Sequence, residues 1–118
     1  MQLEPQAFAR EWIEAWNSHD LERVLSHYED NVVLTSPRVR LVLGREDGRI
    51  EGKSVLRDYM ARALAKLPGL RFTLDRVFSS VDSIVLEFHT NDGRHGAEFM
   101  TFGTSGRVSR VVANYAVE

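Results

Sequence analysis

From Pro68-Gly69 onward the spacing of apolar residues along this chain changes from a mainly helical repeat to a strand repeat. Before it, Phe8, Trp12, Ala15 and Trp16 recur at helical spacing, with Pro5 suited to a first turn. Asn17-Ser18-His19-Asp20 breaks that pattern and supplies a cap for a second helix. On it Leu21, Val24, Leu25 and Tyr28 follow at i, i+3, i+4 and i+7, and Asp30-Asn31 is expected to end it. VVLTSP, from Val32 to Pro37, is short and β-branched, and reads as a strand stopped by Pro37. The weakest pattern runs from Arg38 to Ile50, where VRLVL is compatible with a strand and GREDGR with a turn tipped by Asp47-Gly48. A third helix begins near Ser54, with Leu56, Met60, Ala63, Leu64 and Leu67 on one face.

Beyond Pro68-Gly69 the period is two. Phe72, Thr73, Leu74 and Val77 suggest one strand, and SIVLEFHT, GAEFMTF and RVSRVVANYAV give three more. Asn91-Asp92-Gly93 and Thr104-Ser105-Gly106 separate the last three, which should form a meander of hairpins. Helices first and consecutive antiparallel strands afterwards give an α+β fold, with three N-terminal helices on one face of a mainly antiparallel sheet.

Composition removes several classes of function. The 118 residues fit one domain, taken as residues 1–118. No cysteine is present, so disulfides, thiolate nucleophiles and cysteine-based zinc or iron–sulfur sites are excluded. The net charge is −2, and the arginines from Arg38 to Arg71 are interleaved with Glu46, Asp47, Glu51 and Asp58. Nucleic-acid binding needs a basic stripe, and none is seen. MQLEPQAFAREW has no apolar run after a basic start, so no signal peptide is expected, and nothing reaches the length of a membrane span. A cytoplasmic protein is the expectation.

The run AREWIEAWNSHDLERVLSHYEDNVVLTSP resembles the opening of the nuclear-transport-factor-2-like superfamily, in particular its SnoaL-like (polyketide-cyclase-like) branch. IEGKSVLRDYMARAL, a strand pair and the closing hairpin FGTSGRVSRVVANY match in order, so that the resemblance covers nearly the whole chain. It implies a bent sheet wrapped around the helices as a cone-shaped α+β barrel, with a ligand pocket inside. It implies no single activity, because the superfamily holds isomerases, cyclases, dehydratases, epoxide hydrolases and non-catalytic binding proteins.

Ketosteroid isomerase, a distant relative in that superfamily, gives a residue-by-residue comparison. Its oxyanion-hole tyrosine falls on Trp12, its catalytic base on Ser36 and its protonated aspartate on Glu98. Its supporting tyrosine on the second helix falls on Tyr28, and an aromatic of the last strand on Tyr115. Serine is no carboxylate base and an indole donates only one hydrogen bond, so ketosteroid isomerase activity itself is not expected.

Glu98 is the most informative side chain. Gly96, Glu98, Met100 and Phe102 share one face by alternation. Should that face line the pocket, desolvation would raise the Glu98 pKa and keep it as a donor or general acid. The period alone leaves open the plainer alternative of a solvated glutamate on the outer face. A three-residue loop at Asn91-Asp92-Gly93 pairs Leu86 with Glu98 and turns Ile84, Leu86, Phe88, Glu98 and Met100 inward. A two-residue turn pairs Glu87 with Glu98 and His89 with Gly96, a more catalytic set. The first register is preferred, since it turns the apolar run inward.

The remaining candidates carry less. His19 and His27 are expected at the surface. His89 and His95 face each other in the preferred register without enough ligands for a metal. Trp12, Trp16, Tyr28 and Tyr59 are the helical aromatics, whose polar atoms suit a pocket wall. Arg38 and Arg40 lie near the expected mouth, where they would steer an acidic ligand.

The expectation is thus a pocket protein for a small, largely apolar or aromatic ligand, contacted by Trp12, Trp16, Tyr28, Ser36, Tyr59, Leu86, Phe88, Met100 and Tyr115. Any chemistry would be cofactor-free proton transfer with Glu98 as acid or hydrogen-bond donor: isomerisation, cyclisation or dehydration. The competing reading is a non-enzymatic binding or dimerisation module with a filled pocket. The outer face, with Val85, Ala97, Phe99, Thr101, Val108, Val112 and Asn114, is expected to form a homodimer.

Overall fold

Residues 4–117 are described by the computed structural model. Helix α1 spans Pro5–Ser18. Glu4 caps it by accepting from the Gln6 and Ala7 N–H groups, and Pro5 occupies its first turn. Its buried stripe is Phe8, Ala9, Trp12, Ile13, Ala15 and Trp16. The far end is pinned to the sheet: Asn17 donates to the Phe72 carbonyl at 2.9 Å and accepts from the Phe72 N–H at 2.7 Å. His19 Nε2 donates to the Leu70 carbonyl at 2.8 Å, so this histidine is a tether and not a free surface group.

Helix α2 covers only Leu21–Leu25, and strand β1 runs over Tyr28–Thr35. The sequence pattern had carried the second helix to Asp30-Asn31, with Tyr28 on it. Tyr28 instead opens β1, buried to 1% exposure and paired with Val108. A side chain pointing inward from a strand satisfied the helical spacing by coincidence.

The segment after β1 departs further from expectation. VRLVL forms helix α3, Pro37–Leu43, with Ser36 as N-cap, Pro37 in the first turn and Gly44 ending it at φ 70°. The proline that stops the strand therefore also starts a helix, which makes four helices among the described residues. Strand β2, Arg49–Glu51, pairs antiparallel with β1. Helix α4, Lys53–Lys66, is the helix expected near Ser54.

Strands β4 (Ser83–Thr90), β5 (His95–Phe102) and β6 (Val108–Tyr115) form the meander read from the turns, and β3 (Phe72–Ser79) extends it by pairing antiparallel with β4. The sheet is curved and open, in the order β2-β1-β6-β5-β4-β3, with β1 parallel to β6 and the other pairs antiparallel. The helices cover the face that carries Ile84, Leu86, Phe88, Glu98 and Met100, all buried. Val108, expected on the outer face, is fully buried. A register shift between Thr101 and Phe102 inverts the alternation there and turns Val108 inward.

Gly96 marks a close approach. It pairs with Phe88, whose ring lies over it so tightly that a Cβ on Gly96 would sit 2.6 Å from Phe88 Cζ. That ring is held between Phe72, at a centroid distance of 4.9 Å, and Trp12 at 5.8 Å. Gly96→Ala should therefore destabilise by about 1–3 kcal/mol, as overpacking of a filled core does. Gly69→Ala, whose Cβ would meet nothing within 4 Å, is the control. Equal unfolding midpoints in denaturant for the two variants would contradict this packing.

Candidate functional site

Between α1, α3, α4 and the inner face of the sheet lies a cavity of about 50 Å³. Space of that size holds a few water molecules or a small ligand fragment. Trp12, Trp16, Tyr28, Ser36, Tyr59, Glu98 and Tyr115 line it together. Leu86, Phe88 and Met100 do not reach it; they are packed in the core beneath α1. Of the two arginines expected near the mouth, Arg38 is in the wall. Arg40 is exposed, and its Nε donates to the Glu46 carbonyl. Sequence reading did not single out Arg94, which follows the β4–β5 turn and lines the cavity. Its place just past Gly93, at the end of an inward-facing strand pair, was the only available signal.

Glu98 sits in β5 between Leu86 on β4 and Ala113 on β6, with 8% of its surface exposed. No described residue gives it a hydrogen bond or an ion pair. Burial alone pushes its carboxyl from the ordinary 4.5 up to about 7. The pairing of Leu86 with Glu98 is the register of the three-residue loop; Thr90 N–H donates to the Arg94 carbonyl at 2.9 Å to close it. Glu87 is thereby on the other face, in an ion pair with Arg76 at 3.2 Å.

The aromatic groups divide by whether their polar atoms are engaged. Trp12 Nε1 donates to Tyr28 Oη at 2.9 Å in a buried bond, so this indole is already satisfied. Trp16 Nε1 is buried without a partner among the described residues. That reverses the order suggested by the resemblance, in which Trp12 had support and Trp16 had helical spacing alone. Tyr28, Tyr59 and Tyr115 all have phenols held above their ordinary pKa, first by burial and then by the charge of Glu98. They are neutral donors at any ordinary pH. Ser36 accepts from the Arg38 N–H as the cap of α3, and hydrogen bonding with Tyr59 partly offsets the rise in the tyrosine's pKa. Its hydroxyl supports structure and supplies no base.

His27 is half-buried, with Nε2 3.2 Å from Glu11 and its ring edge-on to Phe8. His89 and His95 do face each other, at 5.6 Å between ring centroids. His89 lies 2.9 Å from Asp75, away from the cavity. No group of three or more metal-ligating side chains occurs among the described residues. No helix described is long and apolar enough to cross a membrane.

A curved, open sheet with helices in its concavity and a buried acid facing them defines a pocket-bearing α+β fold. The SnoaL-like domain family model matches residues 9–116, and the chain belongs to that family. A SnoaL-like protein of unknown function from Burkholderia thailandensis is 38% identical, with a TM-score of 0.90 over 97% of this chain and 100% of that one. A putative isomerase of the SnoaL-like family from Agrobacterium tumefaciens is 21% identical, at 0.76 over 95% and 97%. The protein TerC, co-crystallised with polyporic acid, is 17% identical, at 0.77 over 96% and 92%. The last two likenesses show the shared fold. No curated protein matches the chain in sequence.

Burial of Glu98 has a measurable consequence. An acid whose pKa is higher folded than unfolded costs nothing while protonated in both states, and its full penalty once ionised in both. Stability should therefore fall as pH rises from about 4.5 through about 7, by about 3 kcal/mol in all. Glu98→Gln removes the ionisation and keeps the shape. Denaturant unfolding should find the variant more stable than the parent well above neutrality, the advantage vanishing in acid. An offset independent of pH would place the carboxylate in water.

Proposed function

We propose that this protein binds a small, largely apolar or aromatic molecule in the cavity and moves a proton on it without a cofactor. One observation carries the reading: Glu98 is buried, unpartnered among the described residues, and part of the cavity wall. With a pKa near neutrality both forms of the carboxyl are populated. The ionised form accepts a proton from a carbon next to a carbonyl, and the same group, now protonated, returns it elsewhere on the ligand. Tyr59, Tyr115 and Trp16 supply donors for the oxygen that carries the transient negative charge. Isomerisation, cyclisation and dehydration are all built from such steps. The family, and the putative isomerase among the structural neighbours, support the reading without naming a substrate.

The two tryptophans of the chain both line the cavity, so their indole N–H signals in nitrogen–proton correlation spectra report entry directly. Naphthol, an apolar ring with one polar group, should shift the Trp16 signal, which Trp16→Phe would identify. Exchange of the protons beside the carbonyl of tetralone for deuterium should be faster with the parent than with Glu98→Gln by about a hundredfold. Absence of any indole shift would remove the binding reading. Equal exchange rates would remove the proton transfer and leave a binding module.

A second reading concerns the outer face. Phe78, Val85, Phe99 and Val112 are paired in sequence across β3, β4, β5 and β6, forming one apolar row. Phe78 is 46% and Phe99 41% exposed. We propose that this row joins two copies of the chain through their sheets. Light scattering should give twice the chain mass, and Phe99→Lys about the chain mass. A parent protein that is monomeric at high concentration would end this proposal.

A further inference from the structure

The polar groups around the cavity are unbalanced toward donors of positive character. Arg38, at the start of α3, has no hydrogen bond or ion pair on its guanidinium among the described residues. Arg94, arriving from the β4–β5 hairpin, shares its Nε with Asp92 at 3.2 and 3.3 Å. Its two terminal amino groups engage nothing among the described residues. Its guanidinium lies over the Tyr115 ring, 5.7 Å from the centroid, which fixes the plane of the fork beside the cavity. Both arginines act on the phenols of Tyr59 and Tyr115, lowering the pKa of each, so two elements distant in sequence bring their charges to the same wall. Trp16 adds a buried N–H with no acceptor among the described residues, inside the same space.

A solvated arginine needs no ligand, but one whose fork borders a cavity beside an unsatisfied buried donor has a reason for one. Guanidinium groups hold carboxylates in paired hydrogen bonds, which a hydroxyl or carbonyl cannot match. Glu98 does not fill the role, since it makes no ion pair with either arginine. We infer that the cavity takes a small aromatic carboxylate, its anionic end held by Arg38 and Arg94 at the mouth and its ring directed inward past Trp16. This deepens the pocket reading above and rests on it. It makes the two arginines determinants of specificity, and the reacting part of the molecule lies at the Glu98 end.

Naphthoate and naphthamide share size and shape and differ in charge, and they provide the test. With both followed through the indole signals, the parent should bind naphthoate roughly tenfold or more tighter than naphthamide, as a charge-assisted pair allows. The preference should shrink as salt is raised. Arg38→Gln and Arg94→Gln should each reduce it several-fold and leave naphthamide binding as it was. The salt series needs no variant, so it decides the matter even where a substitution disturbs folding. Equal affinity of the parent for the two ligands, or a preference that survives both substitutions, overturns the arginine assignment alone. Failure of naphthol, naphthamide and naphthoate alike to move either indole signal overturns the pocket reading with it.

Discussion

The turn between β4 and β5 determines where the only buried acid of the described chain points. Thr90 N–H reaches the Arg94 carbonyl, Gly93 N–H returns to the Thr90 carbonyl at 3.1 Å, and Gly93 adopts φ 92°, a conformation other residues enter with strain. Side chains alternate strictly along a strand, so a slip of one residue would move Glu98 to the outer face opposite Glu87. With the turn as it stands, Glu98 lies between Leu86 and Ala113, whose side chains offer it no polar atom. A backbone decision at an exposed loop thus sets the chemistry of the interior.

The walls of the cavity differ in stiffness. On the α1 side, the Trp16 and Phe72 rings stack at 5.3 Å with 20° between planes, and Asn17 bonds both backbone groups of Phe72. Trp12 is locked to Tyr28 by its indole bond. Across from them stand Met60, Leu67 and the two arginines. Met60 is unbranched and adaptable. A single benzene ring occupies a cavity of roughly 150 Å³ in other proteins. On the proposed reading, a ring-sized ligand requires the cavity to open beyond its volume of about 50 Å³.

Much of this was legible in the residues, for reasons that also explain the failures. The meander followed from Asn91-Asp92-Gly93 and Thr104-Ser105-Gly106, because turn chemistry and a period of two are local properties. The inward set Ile84, Leu86, Phe88, Glu98 and Met100 followed from choosing the register that buries the apolar run. Tyr28 was misplaced onto a helix because strand and helix both bring it inward from its neighbours, and its pairing partner Val108 lies eighty residues away. Helix α3 was hidden by valines and leucines that suit a strand, although Ser36-Pro37 is a helix start. Val108 was turned over by a bulge, which alternation cannot foresee. Arg94 had only its place after Gly93 to mark it, since the packing that sets it above Tyr115 is not a local property of the sequence.

Charge is distributed unevenly through the cavity. The arginines lower the pKa of Tyr59 and Tyr115 and Glu98 raises it, yet the shift of Glu98 itself comes from burial alone. Arg38 and Arg94 are partly exposed, and Glu98 is buried. On the proposed reading, this polarity orients whatever enters. An anionic group meets its partners at the mouth, where little desolvation is required, and the neutral, reacting part of the molecule meets Glu98 within. The reverse orientation would bring two negative charges together where water is absent, and Coulomb repulsion is least attenuated there. On the same reading, depth of burial, more than shape, sets which end of the molecule reacts.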